Sequence, residues 1–296
     1  MPAGILLVDK PGGITSHDVV ARARKALGTR KVGHAGTLDP MATGLLVLGV
    51  DSATRLLTFI VGLDKTYEAT IRLGVATDSD DADGTVTSTA DAATLAAVAD
   101  DAVAAGIAAL TGDISQIPSR VSAIKVNGKR AYDLARAGEE VQLAARAVTV
   151  SRFDVRDTHR AESTIDLDVV VDCTSGTYIR ALARDLGDAL GVGGHLTALR
   201  RTRIGPFEVA DAVAVDDIAA DALVPQAQVA ARVLGAFPVS ADEARDLRHG
   251  KRLTGAAGRL ERVPMAAIDP DGHLVGVVER RGADVKSVMN VPEEPA

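Results

Sequence analysis

The chain has 296 residues, 47% hydrophobic and 25% charged, a composition that allows a globular protein with a sizeable core and excludes a disordered or low-complexity chain. Its single cysteine, Cys173, excludes a disulfide framework and a cysteine-based zinc cluster, and there is no run of about 18 to 20 apolar residues to span a bilayer. The net charge of −7 is uneven: residues 78 to 101 hold seven Asp and no Lys or Arg, while basic residues gather in 120 to 136 and 180 to 203, so phosphate binding stays open.

The opening run "GILLVDK" reads as a strand ended by the turn "PGG". Ser16 is expected to cap the helix "HDVVARARKALG", which Gly28 closes. "GHAGTLDPMATG", residues 33 to 44, then reads as a turn before the buried strand "GLLVLGV", which places Asp39 on a connection between ordered elements. A short helix at 52–60 precedes the alternating strand "KTYEATIRLG", and an Ala- and Leu-rich helix is expected at 92–110. Strands follow at 120–126, 147–156 and 164–173, with short helices at 130–137 and 178–190. Strands with irregularly interspersed helices predict an α+β fold on a largely antiparallel mixed sheet.

A boundary is expected near residue 230, separating a main domain, 1–230, from a small β-rich domain, 231–296. In the latter, Ser240 and Glu243 form the S-x-x-E capping box of a helix. "VPMAAID" and "HLVGVVER" read as strands joined by a Pro-Asp-Gly turn, and "VPEEPA" as a frayed tail. The N-terminus has no basic stretch followed by an apolar signal core, which predicts a cytoplasmic chain with no membrane association.

Several chemistries lack their residues. Gly-Lys at 128–129 and 250–251 is followed by Arg, so neither is a phosphate loop, and "GVGG" at 191–194 is not a dinucleotide fingerprint. No H-E-x-x-H or G-x-S-x-G occurs. Read as a calcium loop from Ser79, "SDDADG" has Ala90 where a bidentate glutamate is required. Asp9 follows a strand as a phosphatase nucleophile would, but the second acid of that motif is replaced by Pro11. Cys173 lies in an apolar run and reads as a buried thiol.

Asp39 is left with two readings, a turn cap or a nucleophile. A nucleophilic carboxylate needs a partner cation, and arginine in "SGTYIRALARDLG" is suited to that task because it stays charged and grips a carboxylate with two bonds. At this point the sequence resembles the TruB-type bacterial tRNA pseudouridine synthases. The resemblance lies in "DKPGGITSHDVV", "KVGHAGTLDPMATGLLVLGV", "KTYEATIRLGVATDSDDADG", "QIPSRVSAIKVNGKRAYDLARAGEEV" and "CTSGTYIRALARDLG" with "GGHLTALRRTRIGPF", in order from residue 9 to about 207.

That resemblance implies isomerisation of uridine 55 in the tRNA T-arm by base flipping. It implies Asp39 as nucleophile, His34 as the residue inserted where the base had stacked, and Tyr67 as the group that stacks on the flipped uracil and moves a proton. Tyr178 would contact substrate, Arg180 pair with Asp39, and Leu199 line the base pocket. Lys125, Lys129, Arg130, Arg200 and Arg201 would hold T-arm phosphates, and residues 231–296 would form a PUA-like RNA-binding domain. The "TDSDDADG" stretch would be structural. The reaction is redox-neutral and non-hydrolytic, so the resemblance implies no metal or other cofactor, and a monomer with tRNA as partner and no obligate protein partner. Competing readings are a tRNA-folding helper and an Asp-dependent hydrolase; the latter needs a second acid or base that is not evident.

Overall fold

A computed structural model describes residues 3–119, 125–126, 129–130 and 143–291. The chain divides into two compact units, one formed by Met1–Pro40, Gly44–Gly62 and Ile204–Ala296, the other by Met41–Thr43 and Leu63–Arg203.

In chain order the first elements are β1 (Gly4–Lys10), α1 (Ser16–Leu27), β2 (Val32–Ala35), β3 (Thr43–Val50), α2 (Leu57–Ile60), β4 (Lys65–Leu73), β5 (Val75–Thr77), β6 (Val86–Thr89), α3 (Ala92–Ala96), α4 (Asp100–Ala109) and β7 (Gly112–Gln116). Then come β8 (Lys125–Val126), β9 (Lys129–Arg130), β10 (Arg146–Arg160), β11 (Ile165–Cys173), α5 (Ile179–Ala189), β12 (Gly194–Ile204) and β13 (Phe207–Glu208). The remainder is β14 (Val213–Ala214), β15 (Val224–Pro225), α6 (Gln226–Leu234), β16 (Ala236–Pro238), α7 (Ala241–Arg248), β17 (Met265–Ile268), β18 (Leu274–Arg281) and β19 (Asp284–Asn290).

In the first unit β1 runs antiparallel to β3, from Gly4 opposite Val50 to Lys10 opposite Gly44, and β2 pairs with the other edge of β3. Val19, Val20, Ala23 and Leu27 lie on one face of α1, at helical spacing, and cover Leu6, Val8, Leu46 and Leu48. The cap of α1 corrects the expectation. Thr15 is the N-cap, forming a reciprocal box with Asp18, and Ser16 is the first helical residue. Gly28 closes the helix in the left-handed conformation, as expected. The expected Ser240–Glu243 box does cap α7. Strands β16 to β19 form a four-stranded sheet whose core holds Phe237, Leu247, Met265, Val275 and Val285.

The second unit is built on the strand order β12-β4-β11-β10-β7. Odd residues of β4 from Tyr67 to Leu73 are buried while the even ones stay wetter, the alternation that made this strand legible. The single helix expected at 92–110 is two helices. Ala99 adopts an extended conformation and Asp100 and Asp101 open the next first turn, where their charges suit the helix dipole. Strands β7 and β12 were not expected. In β12 the buried His195 and Arg201 interrupt the apolar–polar alternation by which a strand is read. Of the expected helix at 130–137 only Arg130 is among the described residues, as the end of β9, and most of 120–126 lies outside them; of the expected frayed tail at 291–296 only Val291 is described, and it is instead buried, its amide donating to the Val275 carbonyl at 3.0 Å. Largely antiparallel sheets, with parallel β1–β14 and β16–β17 pairs in the first unit, and a few packed helices make the chain α+β, the class the sequence implied.

Candidate active site

Asp39 lies half-buried on a connection between ordered elements, as expected, but that connection is shorter than the expected turn at 33–44, because Val32–Ala35 form β2 paired with β3. Both of its neighbours are tied to the segment that enters α1. On one side the Ser16 hydroxyl accepts from the Leu38 amide at 2.9 Å and donates to its carbonyl at 3.1 Å. On the other, the Pro40 carbonyl accepts from the Gly13 amide at 2.8 Å and from the Lys10 ammonium at 3.2 Å. Lys10 is fully buried and also donates to the carbonyls of Pro11 (2.9 Å) and Ile14 (2.7 Å). Its three protons thus meet three carbonyl oxygens, which offsets part of the several kcal/mol that burying an ammonium costs. Gly13 reaches Pro40 from a φ of +81°, a conformation costly for other residues. The acid is therefore carried by a loop whose backbone is held on both sides.

His34, on β2, is half-buried, and its ring meets that of His17 at 5.4 Å in a T-shaped arrangement. His17 and Ser16 are the first two residues of α1, so the start of one helix contacts both the strand bearing His34 and the loop bearing Asp39.

In the second unit Tyr67 lies on the buried face of β4, opposite Val171 of β11, and is 8% exposed. The other face is a polar ladder. Thr70 donates to Asp168 at 2.6 Å, and Arg72 grips Asp166 through Nε at 2.7 Å and Nη2 at 2.6 Å. The Arg72 hydrogen bonds hold the Asp166 carboxyl below its ordinary value. These pairs fix the β4–β11 register and with it which face Tyr67 occupies.

Arg180 and Arg184 lie four residues apart on α5, one turn above the other, and both meet the acidic turn at 77–84. Arg180 is 3% exposed; its Nη1 donates to Asp81 Oδ2 at 3.0 Å and to the Ser79 carbonyl at 2.9 Å. Arg184 donates to Asp80 Oδ2 at 3.1 Å and to the Ile117 carbonyl at 2.7 Å. Asp81 is itself held by Ser79 Oγ at 2.6 Å and by the Asp83 amide at 3.1 Å. Burial pushes the Asp80 carboxyl up, with Ser119 and the two arginines opposing it. Gly84 is required by close approach, since a Cβ there would lie 2.2 Å from Ser79 Oγ. The turn expected to be structural is thus the mount of Arg180.

Tyr178 is the N-cap residue of α5 and half-buried. The fully buried Gln116 side chain accepts from its amide at 2.8 Å and donates to its carbonyl at 3.0 Å. Leu199 is 8% exposed, and its carbonyl accepts from the Thr43 hydroxyl, to which half-buried Arg200 also donates, both at 3.5 Å. Arg201 differs from its expectation: at 1% exposure it is an interior side chain of β12, which removes it from the surface phosphate contacts. Lys125, Lys129 and Arg130 fall in β8 and β9, of which only the backbone pairing is described. Cys173 is buried, and burial pushes its thiol up to about 11, so it carries no thiolate near neutral pH.

The structure places His34 and Asp39 on the first unit and Tyr67, Tyr178, Arg180 and Leu199 on the second. Lys10, Ser16, Asp81 and Gln116 were missed as supports of these residues. Their partners are mostly distant, 22 residues on for Ser16, 62 for Gln116 and 99 for Asp81, so no local pattern reports them. Among the described residues, Asp269, Asp271 and His273 are the group close enough to share a metal ion. Asp269 there is already engaged by Arg248 at 2.9 Å and by the amides of Asp271 and His273, which closes the turn between β17 and β18. No helix of the described residues is long and apolar enough to cross a membrane.

Comparison with known proteins agrees along the whole chain. Residues 24–179 match the model of the TruB family pseudouridylate synthase N-terminal domain. Residues 180–241 match the tRNA pseudouridylate synthase B C-terminal domain, and 235–292 the C-terminal model of tRNA pseudouridine synthase II. The chain is 57% identical over 294 residues to tRNA pseudouridine synthase B of Leifsonia xyli subsp. xyli (strain CTCB07), covering 99% of this chain and 97% of that one. It is 56% identical over 295 residues to the protein of the same name from Rhodococcus jostii (strain RHA1), covering 98% and 94%. A solved H/ACA RNP bound to a substrate RNA containing 2'-deoxyuridine has a chain with 24% identity and a TM-score of 0.71, covering 98% of this chain and 85% of that one, a likeness of fold. With its motifs, its α+β fold, family-model matches over residues 24–292 and relatives above 50% identity, the protein belongs to the TruB family of pseudouridylate synthases.

Proposed function

We propose that this protein isomerises uridine 55 in the T-arm of tRNA to pseudouridine, acting as a monomer in the cytoplasm. In that reaction the N1–C1′ bond breaks, the uracil turns, a C5–C1′ bond forms, and C5 loses a proton while N1 gains one. No atom is added or removed. Asp39 is the nucleophile, and Arg180 supplies the positive charge that keeps it ionised. His34 takes the place of the flipped base. Tyr67 stacks on the uracil, an interaction that contributes about 1 to 3 kcal/mol per base and offsets the few kcal/mol of unstacking. Tyr67 also moves the proton that the intermediate has made acidic, Tyr178 contacts the nucleotide, and Leu199 lines the pocket. Arg200, with Lys125, Lys129 and Arg130, binds T-arm phosphates, and residues 231–296 form a second RNA-binding domain, a reading supported by their separate apolar core.

The observation that carries this reading is the anchored Asp39 loop. An acid needed only to cap a turn has no use for a buried lysine, a serine and a left-handed glycine fixing the residues on both sides of it. The test is incubation with an unmodified tRNA transcript followed by mapping of pseudouridine. The expected product is a single pseudouridine at position 55. A product confined to other positions, or to ribosomal RNA, overturns the substrate; tight tRNA binding with no product overturns the activity.

A further inference from the structure

Gln116 and Arg146 are directly opposite one another in the β7–β10 ladder, and both reach Tyr178. Gln116 holds its backbone amide and carbonyl. Arg146, the first residue of β10, lays its guanidinium over the Tyr178 ring, with Cζ 5.6 Å from the ring centroid. At that distance the ring face attracts the cation and restrains the arginine side chain. Gly176, at a φ of +93°, lies alongside; a Cβ there would sit 4.0 Å from Arg146 Nη1.

Among the described residues the Arg146 guanidinium forms no hydrogen bond and no ion pair, although the side chain is half-buried. Four other half-buried arginines of this unit contrast with it: Arg72 holds Asp166, Arg152 and Arg203 hold Asp172, and Arg184 holds Asp80. The guanidinium of Arg146 is thus partly removed from water with no counter-ion among the described residues. An anion brought to it would be bound with less reorganisation, because the contact with the ring already restrains a long side chain. The positive end of the α5 macrodipole lies at Tyr178 and favours the same sign of ligand.

We propose that Arg146 binds a backbone phosphate of the substrate RNA beside the nucleotide that Tyr178 contacts. The inference rests on the function proposed above, since it takes Tyr178 as a residue of the substrate site. Tyr178 then has two tasks: one side of the ring positions the arginine, and the residue as a whole meets the nucleotide. Gln116 is the brace that keeps Tyr178 in register with β10.

The experiment measures the affinity of a T-arm stem-loop RNA for the full-length protein over a salt series, using wild type, Arg146→Gln and Arg146→Lys. Loss of one phosphate contact predicts that Arg146→Gln weakens binding about tenfold or more at low salt and lowers the slope of log Kd against log salt by about 0.7 to 0.9. Arg146→Lys keeps the charge but not the planar fork, so it retains the wild-type slope while recovering only part of the affinity. A wild-type slope in Arg146→Gln, with or without weaker binding, overturns the proposal and leaves Arg146 as a support for Tyr178. Arg146→Lys decides the same question should the glutamine variant not fold, because a lysine that keeps the charge yet lowers the slope contradicts a phosphate contact made by that charge. Failure of the underlying function is separate: it appears as a wild-type protein that forms no pseudouridine in tRNA, whatever its salt slope.

Discussion

A lysine ammonium out of contact with water is the most informative single group in the first unit. Lys10 sits at the end of β1, and the expected fate of such a residue is to extend into solvent; here it is fully buried on three carbonyls, one of them the residue that follows Asp39. Replacing it by methionine keeps the volume and strands those oxygens. The expected cost is about 1 to 3 kcal/mol of stability, read as a lowered denaturation midpoint. Because the loop would be free to shift, kcat should fall on the order of 10- to 100-fold with a much smaller change in KM. A Lys10→Met protein with wild-type kcat would contradict the positioning role. The sequence showed that Asp39 lies on a loop, because turn residues flank it, but could not show that Lys10 holds that loop, because the bonds end on backbone oxygens that every residue type offers.

At the scale of elements, two arrangements do the placing. One is α5, whose first two turns present Arg180 and Arg184 to the acidic turn at 77–84. The other is the β4–β11 ladder, where polar pairs on the outer face define the register that turns Tyr67 inward. The ladder has a pH signature. The Asp166 carboxyl is held below its ordinary value of 3.8, first by its hydrogen bonds to Arg72 and then by that residue's charge. A carboxylate with a depressed folded-state pKa contributes its stability in full above the unfolded value and loses it as pH falls through the folded one. The pair is partly exposed, Arg72 by 37% and Asp166 by 22%, so its contribution is about 0.5 to 1 kcal/mol. Urea denaturation at stepped pH should therefore show wild type more stable than Asp166→Asn at pH 6, with the gap closing as pH drops below about 4. A gap that stays constant or widens on acidification would contradict the assignment. Alternation made β4 and β11 legible in advance. Strand β12 was hidden because an arginine and a histidine occupy its inward positions, and the helix over 92–110 was drawn too long because alanine favours a helix on both sides of the break.

Across the whole molecule, the proposed site residues are distributed over two units that are each assembled from separate stretches of chain. This explains why composition alone pointed away from RNA. The net charge is −7, yet three of the seven aspartates in the acidic segment, Asp78, Asp80 and Asp81, close the turn at 77–84 through bonds to the Thr85 amide, Arg184 and Arg180. Charge counted along the chain overstates what is free to repel a phosphate backbone. The proposed site is legible in the short motifs "GTLDP", "KTYEA" and "GTYIR", and illegible where its supports depend on pairing between distant strands, as with Gln116 and Arg146.

As the proposed nucleophile, Asp39 should be required for the chemistry and dispensable for binding. Single-turnover conversion of an unmodified tRNA transcript by wild type and Asp39→Asn, with tRNA affinity measured on the same preparations, separates the two. Wild type should form pseudouridine and Asp39→Asn none, with tRNA affinity in the variant within a few-fold of wild type. Pseudouridine formed by Asp39→Asn at the wild-type rate would contradict that role.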